Sequence, residues 1–477
     1  MYNILLLGSG GREHCIAWAL SKDERVKNLF CAPGNAGISS IAKSISINIL
    51  DNDLLYDFVI KNNINLIVVG PEQPLQNGVV NYFNDKGIKI FGPNEYASQL
   101  ETSKLFARYI MEESNIPQPA FFECSDELEI FSLKNKLGFP LVLKADGLAA
   151  GKGVIICNND DELNEAIDDM FINKKFGLAS AKISVEECLK GEELSVFAIC
   201  DGENYKIINS AQDHKRIYDN DKGPNTGGMG TYSDSDHSLP FLERSHILAA
   251  QKINQMTADA LRDKFEKGYK GILYGGFIAT KDGVKVIEYN ARFGDPEAMN
   301  VLSILETDLI DICSAMINEE LDTIDIRFNN SATVCKYAVP EGYPNDPIKN
   351  KEIDVAEVTD TEKLFAYFDA DIEVKKNEVG DKEIVINGQK RLSRREIDIP
   401  GDPSSAAFFI VAALISKGSK LRIKNIMMNP TRSVYIDYLT SMGAKIDFIN
   451  KYSKCGEEVL DIEVTTSELK GITTSLK

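Results

Sequence analysis

The sequence predicts an α/β chain that opens with a doubly wound parallel sheet and closes with one βαβαββ unit. Three observations predict it. Asn3–Leu7, Asn65–Val69 and Lys89–Phe91 are short apolar runs, each followed by glycine. Helical stretches such as Glu13–Ser21 lie between them, and short apolar strands alternating with helices build a parallel sheet covered on both faces. Near the end, Arg395–Pro400, Leu421–Ile426, Lys445–Ile449 and Val459–Val464 read as strands, and Ser404–Ser416 and Ser433–Met442 as helices.

The first strand sits in MYNILLLGSGG, which lacks the basic start and small-residue cleavage site of a signal peptide. A new segment begins near Leu100, and strands at Leu141–Lys144, Ile183–Glu186 and Lys285–Glu288 carry most candidate site residues. Asn329–Lys351, rich in Pro, Asn and charge, is irregular or a boundary. The helix around AAFFIVAALI is apolar nearly all round, so it expects cover on most sides.

A length of 477 residues allows about two to four domains, at roughly 100–200 residues each. A net charge of −19 argues against a general nucleic-acid binder, because a phosphate backbone needs a basic surface. Any site for an anion must then gather its own cations. The nine cysteines form no CxxC pair and suit buried thiols in a reducing compartment. No apolar run approaches the roughly 20 residues that span a bilayer. These features place the chain in the cytoplasm, away from membranes and nucleic acid, and a monomer is expected.

Five stretches carry candidate chemistry. In Gly8-Ser-Gly-Gly-Arg-Glu-His14, glycines after a strand let main-chain N–H groups and a helix N-terminus meet a phosphate. Glu13 stands where a dinucleotide fold wants a third glycine, and a purely structural turn is the alternative. In Lys144-Ala-Asp-Gly-Leu-Ala-Ala-Gly-Lys-Gly153, a strand ends in a lysine and a glycine-rich loop follows. Such a loop can fold over a triphosphate, with lysines as point cations. Val185–Glu193 joins a strand to an acidic segment, either an adenosine contact or ordinary acidic surface. Gln212–Arg216 and Gly223–Gly230 have the Gly and Asn density of a backbone turning tightly around something small, or of a structural Ω-loop. In Val286–Glu297, Glu288 and Asn290 share one strand face. Two oxygen donors beside phosphates suit Mg²⁺, and Arg292 on that face can fork a carboxylate or acyl phosphate.

In these stretches, together with APGNAG, VGPEQPL, FGPNEYASQLETSKLFA and LYGGF, residues 1 to about 310 closely resemble the phosphoribosylamine–glycine ligases (glycinamide ribonucleotide synthetases) of the ATP-grasp superfamily. The resemblance implies a ligase that activates glycine with ATP and couples it to phosphoribosylamine in purine biosynthesis. It implies that Lys104, Lys144, Gly151, Lys152, Gly153, Glu186 and Glu193 hold ATP. Glu288 and Asn290 would hold Mg²⁺ or Mn²⁺. Arg292, Asp213, Gly10, Gly11, Asn225, Thr226, Gly227 and Gly228 would face phosphoribosylamine, glycine or the intermediate, with Arg292 and Asp213 in the catalytic roles. No residue is nominated as general base, His14 and His214 included.

The family's final subdomain begins with Thr333-Val-Cys-Lys-Tyr337 and Glu341-Gly-Tyr-Pro344 and is lost after about Phe368. Ile399–Phe409, Asn429–Arg432, Met442–Ala444 and Leu469–Ile472 instead resemble 3-phosphoshikimate 1-carboxyvinyltransferase (EPSP synthase). That family's Lys-Ser loop and Asp-His-Arg segment are missing, so carboxyvinyl transfer is only a remote reading. The expected domains are a Rossmann-like 1–100, an ATP-grasp α+β 101–325, a truncated ligase subdomain 326–368 and an EPSP-synthase-like fragment 369–477. An active ligase and an impaired nucleotide-binding fusion are the two functional outcomes.

Overall fold

The computed structural model describes residues 1–149, 153–177, 182–218, 222–265, 268–337, 339–340, 342–344, 346–348, 371–376, 382–387, 401–428, 430–454 and 457–472. The chain divides into two compact units, Met1–Lys349 and Asn350–Lys477.

The first unit opens with a five-stranded parallel sheet. Its strands are β1 (Tyr2–Gly8), β2 (Val26–Pro33), β3 (Lys43–Ser44), β4 (Leu66–Val69) and β5 (Ile90–Phe91), in the order β3-β2-β1-β4-β5. Side chains alternate along β1. Ile4 and Leu6 pack with helix Gly11–Ser21, while Leu5 and Leu7 pack with the helices Asn52–Lys61 and Val79–Asp85. Both faces are covered, which is why the strand reads as an unbroken apolar run.

Two antiparallel sheets follow. The smaller contains β6 (Phe121–Cys124), β7 (Leu141–Ala145), β8 (Val154–Cys157) and β9 (Ile183–Glu187), in the order β6-β9-β7-β8. The larger contains β10 (Glu192–Asp201), β11 (Tyr205–Tyr218), β12 (Lys222–Ser233), β13 (Lys270–Thr280), β14 (Gly283–Asn290) and β15 (Thr333–Lys336). Its order is β14-β13-β10-β11-β12-β15. Helix Arg244–Lys264 buries Ile247, Ile253 and Leu261 against it.

Gly223–Gly230 is no Ω-loop: it lies within the extended strand β12, paired with β11 through an irregular register. Two of its glycines serve close packing: a side chain at Gly228 would collide with Pro296, and one at Gly230 with the carbonyl of Cys335. β15 pairs with β12 at Gly230–Ser233.

In the second unit, β18 (Lys420–Met427), β19 (Lys445–Lys454) and β20 (Glu457–Thr465) form an antiparallel sheet in the order β18-β20-β19. β16 (Asp371–Lys376) and β17 (Lys382–Asn387) form a separate antiparallel pair. Helices Pro403–Ile415 and Pro430–Ser441 accompany them. The strand expected at Arg395–Pro400 lies outside the described residues. The apolar helix is not covered on most sides. Ala406, Ile410, Ala413 and Leu414, spaced as one helical face, are buried, while Phe408 and Phe409 remain 80% and 63% exposed. Among the described residues no helix is long and apolar enough to cross a membrane.

Candidate active site

The glycine-rich turn is organised by its own carboxylate. Glu13, buried beneath it, accepts the N–H groups of Ser9 (3.2 Å) and Gly10 (2.6 Å) on one oxygen and Arg12 Nε (2.5 Å) on the other. A side chain at Gly8 or Gly70 would collide with that carboxylate, and one at Gly11 with Tyr337 and Met299. The N–H groups of Ser9 and Gly10 are therefore bonded within the turn. Tyr337, just past β15, donates to Asp295, whose other oxygen lies near Arg12 N.

The charged residues meet where β7, β9, β14 and helix Lys104–Glu113 approach one another. Ser103 caps that helix by accepting from Phe106 N, and Asp146 accepts from both Ser103 Oγ and Leu105 N. The caps place Lys104 at the first turn, with Nζ 3.1 Å from Glu288 Oε2. Lys144, near the end of β7, points Nζ at Glu186 Oε2 (3.0 Å) and Ile287 O (3.1 Å). Lys215 on β11 lies 3.5 Å from Glu288 Oε1, 3.8 Å from Asp213 and 4.0 Å from Glu193. Glu288 and Asn290 share one side of β14, with Tyr289 between them buried against Thr257.

These contacts set the charge states. Lys104 foremost, with Lys215 and Lys144, overcomes burial and holds the Glu288 carboxyl well below the usual range. Asp213 raises Lys215. Burial lowers Lys144, opposed by Glu186. Burial alone would raise Glu186, but Lys144 and Arg108 bring it down to about 2.

Glu186 is not turned toward solvent. Arg108 forks it at 2.9 and 2.7 Å, Lys144 adds a third contact and Ser184 a fourth, which leaves it 2% exposed. Both oxygens of this carboxylate are engaged by side chains of the protein. Arg292 differs from expectation. β14 ends at Asn290, so strand alternation does not orient it. Its guanidinium meets Glu101 (2.7 Å) and Glu72 (3.4 Å) and donates to Phe293 O. Burial works against that charge, but Glu101 and Glu72 outweigh it and raise Arg292. Thr226 donates to Lys215 O and accepts from Gly228 N, and Asn225 pairs across the sheet with Arg216. His214 stacks on Tyr232. Gly153 precedes β8, while Gly151 and Lys152 lie outside the described residues.

Sequence reasoning missed four residues. Lys215 was visible in the Asp-His-Lys-Arg run but not singled out. Arg108, Glu101 and Glu297 carry no local signal beyond their motifs. Glu297 begins helix Glu297–Ser303, is buried, and accepts from Tyr274 Oη (2.6 Å), which in turn accepts from Ser195 (3.0 Å). Burial, reinforced by Asp213, pushes its carboxyl up to about 7.

The phosphoribosylglycinamide synthetase N-domain family matches residues 2–101 and its ATP-grasp (A) domain family residues 102–298. A phosphoribosylamine–glycine ligase of Halalkalibacterium halodurans is 39% identical over 395 residues, covering 82% of this chain and 88% of that protein. The chain belongs to the phosphoribosylamine–glycine ligase family. The ligase of Methanocaldococcus jannaschii is 42% identical over 366 residues, 74% of this chain and 81% of its own. The crystal structure of the Thermotoga maritima ligase superposes with a TM-score of 0.62 at 21% identity, covering 98% of this chain and 93% of that one, which bears on the fold. The EPSP synthase family matches residues 320–477. That match begins before β15, yet β15 is a strand of the ligase sheet.

Proposed function

We propose that this chain joins glycine to phosphoribosylamine in purine biosynthesis, cleaving ATP to ADP and phosphate through glycyl phosphate. The observation that carries the reading is the convergence of Lys104, Lys144 and Lys215 around Glu288 within the ligase family's fold. A carboxylate is a poor acyl donor. Transfer of the ATP γ-phosphoryl group to a glycine oxygen makes a mixed anhydride. The amine of phosphoribosylamine attacks its carbonyl carbon, the amide forms, and phosphate leaves.

Phosphoryl transfer asks mostly for positioning and charge neutralisation. Lys104 and Lys144 supply cations at the triphosphate, Gly151, Lys152 and Gly153 cover it, and Glu193 reaches the ribose. Glu186 acts through Lys144 and Arg108, both of which it contacts. Arg292, Asp213, Gly10, Gly11 and the Asn225–Gly228 stretch face glycine, phosphoribosylamine or the intermediate.

One carboxylate and one carboxamide on the same strand face fit Mg²⁺ or Mn²⁺, which take few protein ligands beside nucleotide phosphates. Glu288 and Asn290 would hold the ion, and bound there it would neutralise developing phosphate charge. The Glu288 oxygens now paired with Lys104 and Lys215 would then turn to it, leaving both lysines for phosphate oxygens.

The reading includes a cytoplasmic monomer with small-molecule partners only; the acidic net charge supports the exclusion of nucleic acid. It keeps the domains as 1–100, 101–325, 326–368 and 369–477. The test is ADP release by the purified chain with phosphoribosylamine generated in place. Release that requires glycine is expected. No release, or release indifferent to glycine, overturns it.

A further inference from the structure

We infer that Arg108 is a positioning residue for ATP: its guanidinium clamps a bulge in β14 together with the Glu186 carboxylate, and so sets Lys104, Lys144 and Glu288 around the triphosphate. The inference deepens the nucleotide reading above and rests on it.

The bulge is seen in the ladder. Phe277 on β13 stands opposite Val286, and its neighbour Gly276 opposite Glu288, so Ile287 is one residue too many. In a regular strand, successive carbonyls point to opposite sides. Here Val286 O and Ile287 O both accept from Arg108, at 3.2 and 2.6 Å, and Val286 N donates to Pro117 O on the same side. A one-residue bulge re-aims the side chains that follow it. Those are Glu288 and, two residues on, Asn290.

Every nitrogen of the guanidinium is engaged. Nε and Nη2 fork Glu186, Nη2 also reaches Ile287 O, and Nη1 holds Val286 O and Gln118 Oε1 (3.4 Å). Lys144 shares two of these acceptors, Glu186 Oε2 and Ile287 O. One buried carboxylate thus faces two cations, and the excess positive charge borders the cavity lined by Lys104, Lys144 and Glu288. Arg108 also lies one helical turn beyond Lys104, on the same helix face. The contacts that hold the bulge therefore also fix the start of that helix. An ammonium lacks the planar fork that meets all these acceptors at once.

The test is Arg108→Lys in the full chain. ATP binding would be measured at equilibrium with and without Mg²⁺, alongside steady-state kinetics. The variant should fold, keep its KM for glycine, and lose ATP affinity by about 10- to 100-fold, the scale on which a misplacement near 1 Å acts. Its Mg²⁺ requirement should rise. Unchanged ATP affinity overturns the inference, as does a uniform loss that tracks the folded fraction. Should Arg108→Lys not fold, the neutral pair Arg108→Gln with Glu186→Gln takes its place with the same expected split. Misfolding of both overturns the inference, because Arg108 would then serve the fold alone. Lys144→Ala, measured in parallel, separates the two levels. If it too binds ATP normally, the nucleotide reading fails. If it loses ATP while Arg108→Lys does not, only the Arg108 inference fails.

Discussion

Helices Lys104–Glu113 and Pro403–Ile415 are of similar length but treat their surfaces in opposite ways. The first is amphipathic and buries an arginine completely. The second is apolar nearly all round and leaves two phenylalanines mostly exposed. An arginine can be buried because each of its donors finds an acceptor, and such pairing has one geometric solution. Apolar surface is non-directional, so the second helix is satisfied by burying one face on its sheet and specifies nothing about the other.

The sharpest way to break this contrast is to remove the buried cation. Arg108→Met leaves Glu186 with one cation instead of two, strands the carbonyl of Val286 and leaves that of Ile287 to Lys144 alone. We expect a loss of about 3–5 kcal/mol in the unfolding of the first unit, as for other broken buried pairs. Urea denaturation measures it, and a loss below about 1 kcal/mol would make the network ornamental to stability.

Glu288→Ala tests function in place of fold. It removes a carboxylate that pairs with both Lys104 and Lys215. Ligation should fall by on the order of 10²- to 10³-fold, the cost of losing one preorganised electrostatic contact, while circular dichroism stays unchanged. Near-normal ADP release at moderate Mg²⁺ would remove Glu288 from the site.

Glu297 refines the comparison through pH. Its folded pKa of about 7 stands above the ordinary 4.5, because of burial first and Asp213 second. The native state therefore holds the proton more tightly. The resulting stability is full below about 4.5 and is lost as pH rises through about 7. Lys215, Tyr274, Arg292 and Cys335 also border this group electrostatically. Glu297→Gln keeps the hydrogen bond without the charge. Between about pH 5 and about pH 8 it should gain on the wild type by up to about 2–3 kcal/mol. Parallel curves for the two proteins over that range would show no titration at Glu297.

The smallest effect is expected on the apolar helix. Phe408→Ser should change the stability of the second unit by no more than about 0.5 kcal/mol, as at other exposed positions. A loss of several kcal/mol would mean that Phe408 is covered after all.

Much of the ligase fold was legible locally. The apolar runs that became β1 and β4, and the helix that follows the glycine-rich turn, expected from Glu13 and found from Gly11, follow from periodicity and turn chemistry within a few residues. The glycines of the first turn were legible as glycines, but the reason for them was not. They clear space for Glu13, whose carboxylate takes the N–H groups that a phosphate was expected to use. Gly223–Gly230 misled for a related cause. Glycine density signals close approach of something, and for Gly228 and Gly230 it is Pro296 and the main chain at Cys335.

The sequence by itself determined most of the apolar strands of the first sheet and the family to which residues 2–298 belong. These are local properties, set by side-chain size, polarity and spacing over a turn or a strand. Only the tertiary structure decided which charges meet. Arg108 finds Glu186 at a separation of 78 residues and Val286 at 178, and Arg292 finds Glu72 at 220. Nothing within a short window distinguishes Arg108 from a solvated helical arginine. Its role arises from the extra residue in β14, which turns two successive carbonyls toward it once the strand has paired with β13.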